Sequence, residues 1–416
     1  MKKLGRYSIG TGDRFGHEGR AQIEAVRKAR GAGVEAAIVW NKSNREHTII
    51  GTEPRDTMKA AEAAIKASGW DGEWHVDADH IGLATVDRFM ASSDFFTIDV
   101  ADFISQAADP SSVESFVKRH GDLCGKLAIP GLIEPIVLDS KTLAGAASRY
   151  INAVHEAARI YHHIEKSKGA NGFIAEVSMD ETAQPQSPTE LLVILAALAD
   201  EGVAIQTIAP KFSGRFNKGV DYVGDVSGFL AEFEADVCVA TWAAHAFGLP
   251  DNLKLSVHSG SDKFSLYKGI GHIIRRHNAG VHLKTAGTNW LEELVGLAEG
   301  GGEGLAIVKE LYHLALPRFD ELTAPYSTVI DIDRVSLPSA QVVDAWTSDQ
   351  FKAALRHVQT NPAYDRNFRQ LLHVAFKLAA EMGTRYRDAL KHYREPIERN
   401  VTANLWERHI TPLFLD

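Results

Sequence analysis

In Leu253-Lys254-Leu255-Ser256-Val257-His258 and in Val281-His282-Leu283-Lys284, aliphatic and polar residues alternate. A β-strand sends successive side chains to opposite faces. With the aliphatic set turned toward helices, Ser256, His258, His282 and Lys284 share the other side. The run 174–180 behaves alike and offers Glu176, Ser178 and Asp180. Asp77 and Asp79 share a face of another run, and Asp99 ends a fourth. Two imidazoles and a carboxylate, His258, His282 and Glu176, form a ligand set suited to Zn, Mn, Fe, Co or Ni, with positions left open for a substrate. Asp79 or Asp180 can add a fourth ligand or act as the proton-moving base beside the ion. Lys284 and Lys211 fit either anion pairing or, if desolvated, a Schiff base with a carbonyl substrate. The bland alternative is a set of core histidines satisfied by hydrogen bonds.

These residues need strands whose ends converge, and the chain supplies eight candidates. Runs at 6–10, 34–40, 73–77, 95–99, 172–177, 204–209, 252–257 and 280–284 alternate with helical patterns. That order signals parallel strand–helix units and predicts a (β/α)8 TIM barrel over residues 1–300. A helical insertion is expected at about 105–170 after the fourth strand, and a C-terminal helical subdomain over 301–416. Barrel interiors are normally packed with branched apolar side chains. Polar residues at most strand ends therefore mark a catalytic cluster at the C-terminal face. The loops after the seventh and eighth strands, Ser259-Gly260-Ser261-Asp262-Lys263 and Thr285-Ala286-Gly287-Thr288, are small and hydroxyl-rich. Loops in this place often bind an anionic group, so Ser259, Lys263, Thr285 and Lys211 are candidate substrate contacts. In contrast, Ser187-Pro188-Thr189-Glu190 reads as a helix cap, and His162 and His163 as surface residues.

A nucleotide cofactor is not expected. Gly10-Thr11-Gly12-Asp13-Arg14-Phe15-Gly16 follows a strand and precedes a helix, but its third glycine comes one position late for a dinucleotide fingerprint. Asp13 would also set a negative charge where a pyrophosphate lies. The net charge of −9 over 416 residues, with no basic block, argues against nucleic acid. No apolar run reaches membrane-spanning length, and MKKLGRYSIG lacks the apolar core of a signal peptide. Two cysteines without metal-ligand spacing fit a reduced, cytoplasmic setting. A small-molecule partner is the default, and a homo-oligomer is compatible with the chain.

The stretches SIGTGDRFG (8–16), DADH (77–80), FTID (96–99), EVSMDET (176–182), HSGSDKFSLY (258–267), HLKTAGT (282–288) and RQLLHV (369–374) together resemble the tagaturonate/fructuronate epimerase family, which also includes ketohexose 4-epimerases. The resemblance implies a metal-dependent epimerisation of a keto-sugar acid in hexuronate breakdown. Glu176, His258 and His282 would be the ligands, and Asp79, Asp180 and Lys284 the catalytic groups. Asp13 and Arg14 in the glycine turn, Lys263 and His373 would stand around the substrate. Members of that family carry a segment ahead of the first of these stretches, so the expectation extends to a sister activity on another acidic or phosphorylated ketose, or to a sugar-acid binding barrel without turnover. For carbons β to a ketone, the C–H proton is not acidified, and retro-aldol cleavage with readdition is the expected route.

Overall fold

A computed structural model of the chain describes residues 2–106, 108–285 and 287–415. Eight parallel strands close into a barrel: β1 (Tyr7–Thr11), β2 (Ala36–Ser43), β3 (Trp74–Ile81), β4 (Phe95–Asp99), β7 (Ile174–Ser178), β8 (Thr207–Ala209), β9 (Lys254–His258) and β10 (Val281–Lys284). Each overlaps an expected run, with ends that differ by no more than four residues. β5 (Gly125–Leu127) and β6 (Ile136–Leu138) form a separate antiparallel pair between β4 and β7. The span 105–170 is thus not wholly helical. It holds helix Pro110–Arg119, this hairpin, and the 29-residue helix Ser140–Lys168, which supplies the crossover that a parallel β4–β7 pair needs.

Alternation divides the strands as their sequence suggests. Ile9, Ile38, Trp40, Val76, Phe96, Ile98, Val177, Leu255, Val257 and Leu283 join the large core between barrel and helices. Inside the barrel, Leu4, Ala37, Val39, Phe95 and Ile174 make a small apolar plug. Above it the interior turns polar, with Ser8, Thr97, Glu176, Thr207, Ser256 and His282 all fully buried. Such a column is stable only if its groups satisfy one another.

The remaining helices bind the barrel top and sides through specific polar contacts. Ser187 and Glu190 form the expected capping box ahead of helix Pro188–Asp200. Helix Thr288–Gly300, after β10, packs against helix Arg394–Ala403, and Trp290 Nε1 donates to the Leu372 carbonyl at 2.8 Å. Among the described residues no helix is long and apolar enough to cross a membrane.

Candidate active site

Strand register decides which side chains are level with one another. Lys284 of β10 pairs with His258 of β9, whereas His282 pairs with Ser256 one layer lower. Gly10 of β1 faces Lys284, and a Cβ there would lie 2.9 Å from Lys284 Cγ. The missing side chain is what lets the lysine cross the barrel mouth. Its Nζ lies 2.8 Å from Asp77 Oδ2, 2.9 Å from Asp79 Oδ1 and 3.0 Å from Glu176 Oε1, and it also donates to Thr97 Oγ1. Burial would discharge this amine, but three carboxylates outweigh it and hold Lys284 well above the ordinary lysine range. A lysine kept protonated has no lone pair for a Schiff base. Burial and its acidic neighbours push Asp77 up to about 7 despite the ammonium beside it. For Asp79, Lys284 and His80 overcome burial and bring the carboxyl down to about 2.

The structure assembles a different trio from the expected Glu176–His258–His282. Among the described residues, one group of three donors comes within mutual reach of a single ion: His80, Asp180 and His258, their ligand atoms all within 4.8 Å of one another. His80 was missed because strict alternation turns it away from the face of Asp77 and Asp79. In fact the β3–β4 register slips between Ala78 and Ile81, and His80 takes a left-handed φ of 51°. A bulge of this kind re-aims one side chain. The residue was visible in the DADH stretch, but its direction was not.

Each histidine of the trio is oriented by a carboxylate. His80 Nδ1 lies 3.1 Å from Asp99 Oδ2, leaving Nε2 toward the cavity. His258 Nε2 lies 2.8 Å from Glu176 Oε1, and its Nδ1 pairs with Asp180 Oδ1 at 3.1 Å. A ring nitrogen and a carboxylate that converge in this way are placed as two metal ligands would be, and carboxylate–histidine pairing on the other nitrogen fixes the tautomer such a ligand needs. Burial alone would keep both rings neutral. The carboxylates prevail instead and raise His80 to about 10 and His258 to about 9. A site negative enough to protonate two buried imidazoles is one where a divalent cation can replace two protons.

Glu176 therefore stands behind the trio. Its Oε1 is shared by His258 and Lys284, and its Oε2 accepts from Thr207 Oγ1 at 2.7 Å. His282 lies deeper still, its Nδ1 2.9 Å from Ser8 Oγ and its ring 5.3 Å from that of Phe95. Burial lowers it to about 3, so it is a neutral interior histidine whose Nε2 has no partner.

A cavity of about 340 Å³ opens above these groups, walled by Asp79, His80, Asp99, Asp180, His258 and Lys284 below and by Arg14, Glu46, Lys218, Tyr326 and His373 around the sides. A chamber of about 580 Å³ adjoins it, sharing Arg45, Asp180, Lys218, His258 and Tyr326, and Lys211 belongs to that chamber alone. Arg14 reaches the wall with its Nε on Glu46 Oε1 at 2.9 Å. His373, from helix Arg366–Val374, hangs over Gly287, where a Cβ would come within 2.3 Å of His373 Nε2. Only glycine fits beneath that ring.

The other expected substrate contacts are committed elsewhere. Asp13 accepts from the backbone amides of Gly16, His17 and Glu18 at 2.7, 3.1 and 2.7 Å, and so shapes its own turn. Ser259 Oγ donates to the Lys284 carbonyl, and Thr285 Oγ1 sits 2.8 Å from Thr288 Oγ1 and 3.1 Å from His409 Nε2. Lys263 is fully enclosed, and among the described residues its ammonium donates to Ser261 and Asp262 of its own loop, with burial lowering it to about 7. Ala286, of the expected anion loop, lies outside the described residues. These loops are bound to the C-terminal segments. Asp262 takes Arg369 at 2.8 Å, His357 at 3.2 Å and Thr288 Oγ1 at 2.9 Å, all buried.

Arg369 extends this clamp, donating to the Gly219 carbonyl at 2.6 Å and to Leu355 O at 2.7 Å. A lysine cannot serve three acceptors in that fan. Arg369→Lys is expected to lower stability by about 1–3 kcal/mol and to raise KM, measured by thermal denaturation and steady-state kinetics on the same preparation.

A family model described as UxaE, tagaturonate epimerase, matches residues 1–410. The chain belongs to the tagaturonate epimerase family. That places it among carbohydrate epimerases, in the isomerase class. A tagaturonate/fructuronate epimerase of Thermotoga maritima is 30% identical over 384 residues, which are 89% of this chain and 73% of that protein. The glycerol-complexed crystal structure of the fructuronate-tagaturonate epimerase UxaE from Cohnella laeviribosi superposes with a TM-score of 0.80 at 25% identity, covering 99% of this chain and 82% of that one. Its native crystal form, at 24% identity and a TM-score of 0.79 over 99% and 83% of the two chains, matches in fold. The tagaturonate epimerase family thus accounts for the barrel and for the whole length of the resemblance.

Proposed function

We propose that this chain interconverts the keto-sugar acids D-tagaturonate and D-fructuronate by a divalent-metal-dependent epimerisation that breaks and remakes a carbon–carbon bond. The observation that carries the metal is the convergence of His80 Nε2, His258 Nδ1 and Asp180, with Asp99 and Glu176 each holding the opposite nitrogen of a ring. Family membership and the named activity of the Thermotoga maritima relative support the substrate pair. His80, Asp180 and His258 would hold the ion, which would supply Lewis-acid stabilisation of charge developing on the substrate ketone oxygen.

The rest of the chemistry falls to the chain. The two acids differ at a carbon β to the ketone, and its C–H proton is not acidified. Asp79, on the cavity floor beside Lys284, takes the proton of the hydroxyl on that carbon. As that oxygen becomes a carbonyl, the bond between the α and β carbons breaks, and its electron pair enters a three-carbon enediolate. The other product is a three-carbon aldehyde acid. Rotation of the aldehyde presents its opposite face, the α carbon re-adds, and the proton returns to the new alkoxide. The Lys284 ammonium holds Asp79 in place and offsets negative charge through both steps.

The test is an NMR time course on either acid in D2O, with metal content measured on the same protein and 13C-labelled dihydroxyacetone added. Interconversion lost on chelation and restored by a divalent ion, with label entering the sugar and no deuterium at the epimerised carbon, is expected. Full activity in ion-free protein would overturn the metal, and deuterium at that carbon would overturn the bond cleavage.

A further inference from the structure

Two cations of the cavity wall are already engaged. Lys284 is held by Asp77, Asp79 and Glu176, and Arg14 Nε by Glu46. Lys218 differs. It lines both chambers, and among the described residues its ammonium has neither a hydrogen-bond acceptor nor a carboxylate at ion-pair distance. Burial, with Arg45 and Arg14 nearby, lowers its proton affinity, and only the more distant Glu181 and Asp180 oppose that. A half-buried cation without a protein partner, lining an open cavity, is placed to receive an anion that arrives from solution.

The main chain around Lys218 is built to hold that charge still. Its N–H donates to the Val329 carbonyl at 2.7 Å, and its own carbonyl accepts from Gln370 Nε2 at 2.9 Å. Gly219, at φ 77°, donates to Ser261 Oγ and accepts from Arg369. Against the ammonium lies Gly260, at φ 65°, where a Cβ would sit 3.2 Å from Lys218 Nζ. A second uncommitted donor stands in the same wall: Arg14 NH1 is buried and unpartnered. Exposed Arg45 closes the rim.

We infer that Lys218, supported by Arg14 NH1, is the receptor for the substrate's carboxylate and the residue that selects acidic over neutral ketoses. The inference rests on the proposed function for the identity of the substrate, but not for the presence of an anion site. The carboxylate is anchored at the cavity side while the ketone end meets the His80–Asp180–His258 floor. Charge sorts the ends of the molecule: the floor, rich in carboxylates, repels an anionic terminus, and the wall at Lys218 attracts it. Lys218 touches substrate without moving a proton, so its signature is KM.

The experiment compares the whole protein with Lys218→Met and Lys218→Arg, using two readouts. In turnover of tagaturonate, Lys218→Met is expected to raise KM about 10–100-fold, the worth of one charged hydrogen bond, with kcat changed far less, and Lys218→Arg to recover most of the loss. In calorimetry, gluconate binding should weaken by a similar factor in Lys218→Met, while binding of the uncharged polyol glucitol stays as in the parent. Unchanged gluconate affinity, or equal weakening of glucitol, would overturn the subsite. A parent protein that binds gluconate through Lys218 yet turns over neither keto-uronate would leave the subsite standing and remove the proposed function instead.

Discussion

Lys284→Met is expected to cut turnover by about 10²–10⁴-fold, because it releases the proton-moving carboxylate Asp79 from its position, and to destabilise the barrel by about 3–5 kcal/mol, as loss of one partner from a buried ion pair does. The reason lies in the number of charges that share this ammonium. Asp77 and Glu176 are fully buried, Asp79 nearly so, and the methionine would leave all three facing one another in the barrel mouth. The pH dependence has a definite sign. Burial already pushes Asp77 up to about 7, above its unfolded value of 3.8, so in this range the folded chain binds more protons than the unfolded one. Such a group loses stability as pH rises from the unfolded value through the folded one. Without the lysine its pKa climbs further, so the variant should be markedly less stable at pH 8 than at pH 5 relative to the parent. Chemical denaturation at the two pH values measures this. A variant equally destabilised at both would show that the carboxylates do not depend on Lys284.

The second large effect separates the two candidate metal sets. His80→Ala is expected to abolish stoichiometric metal binding and with it activity, whereas His282→Gln should retain the ion. Changes to a group that hydrogen-bonds a ligand from behind typically weaken metal binding by about 10–100-fold, and removal of a ligand should exceed that. Glu176→Gln, which alters only the group behind His258, should fall inside that range. Asp180→Asn should lose the ion as His80→Ala does. The measurement is metal content after dialysis against a defined chelator, with circular dichroism to verify folding. Retention of the ion by His80→Ala and its loss from His282→Gln would restore the Glu176–His258–His282 set.

The outcome for these residues shows what a one-dimensional reading can carry. Period-two alternation is a local property of each strand. It placed Glu176, His258, His282, Lys284, Asp77 and Asp79 on the inner side of the barrel, and the structure keeps all six there. The eight runs, the polar barrel mouth and the Ser187 cap are likewise written in short stretches of chain, because each depends on neighbours a few residues away.

Height inside the barrel is not local. Whether His258 stands beside His282 or beside Lys284 depends on the stagger between β9 and β10, which no residue of either strand encodes by itself. A shift of two residues places His282, an expected ligand, one layer below His258 with its Nδ1 against Ser8, and puts the ammonium of Lys284 among the carboxylates. The bulge at His80 is also a property of a pair, since it arises where β3 slips against β4.

The loops hold the same lesson. Ser259, Lys263 and Thr285 have the composition of an anion site, but their donors are used by segments up to 124 residues away in the chain, the contact of Thr285 with His409 being the longest. Lys218 carries no local signal at all, and becomes conspicuous only once its place in the cavity wall and its lack of an ion-pair partner among the described residues are seen. What the amino-acid sequence determined by itself was the barrel and the kinds of groups at its mouth. Which of them meet, which are satisfied and which remain free was decided by register, bulge and long-range packing, because those fix distances between atoms that the chain order leaves open.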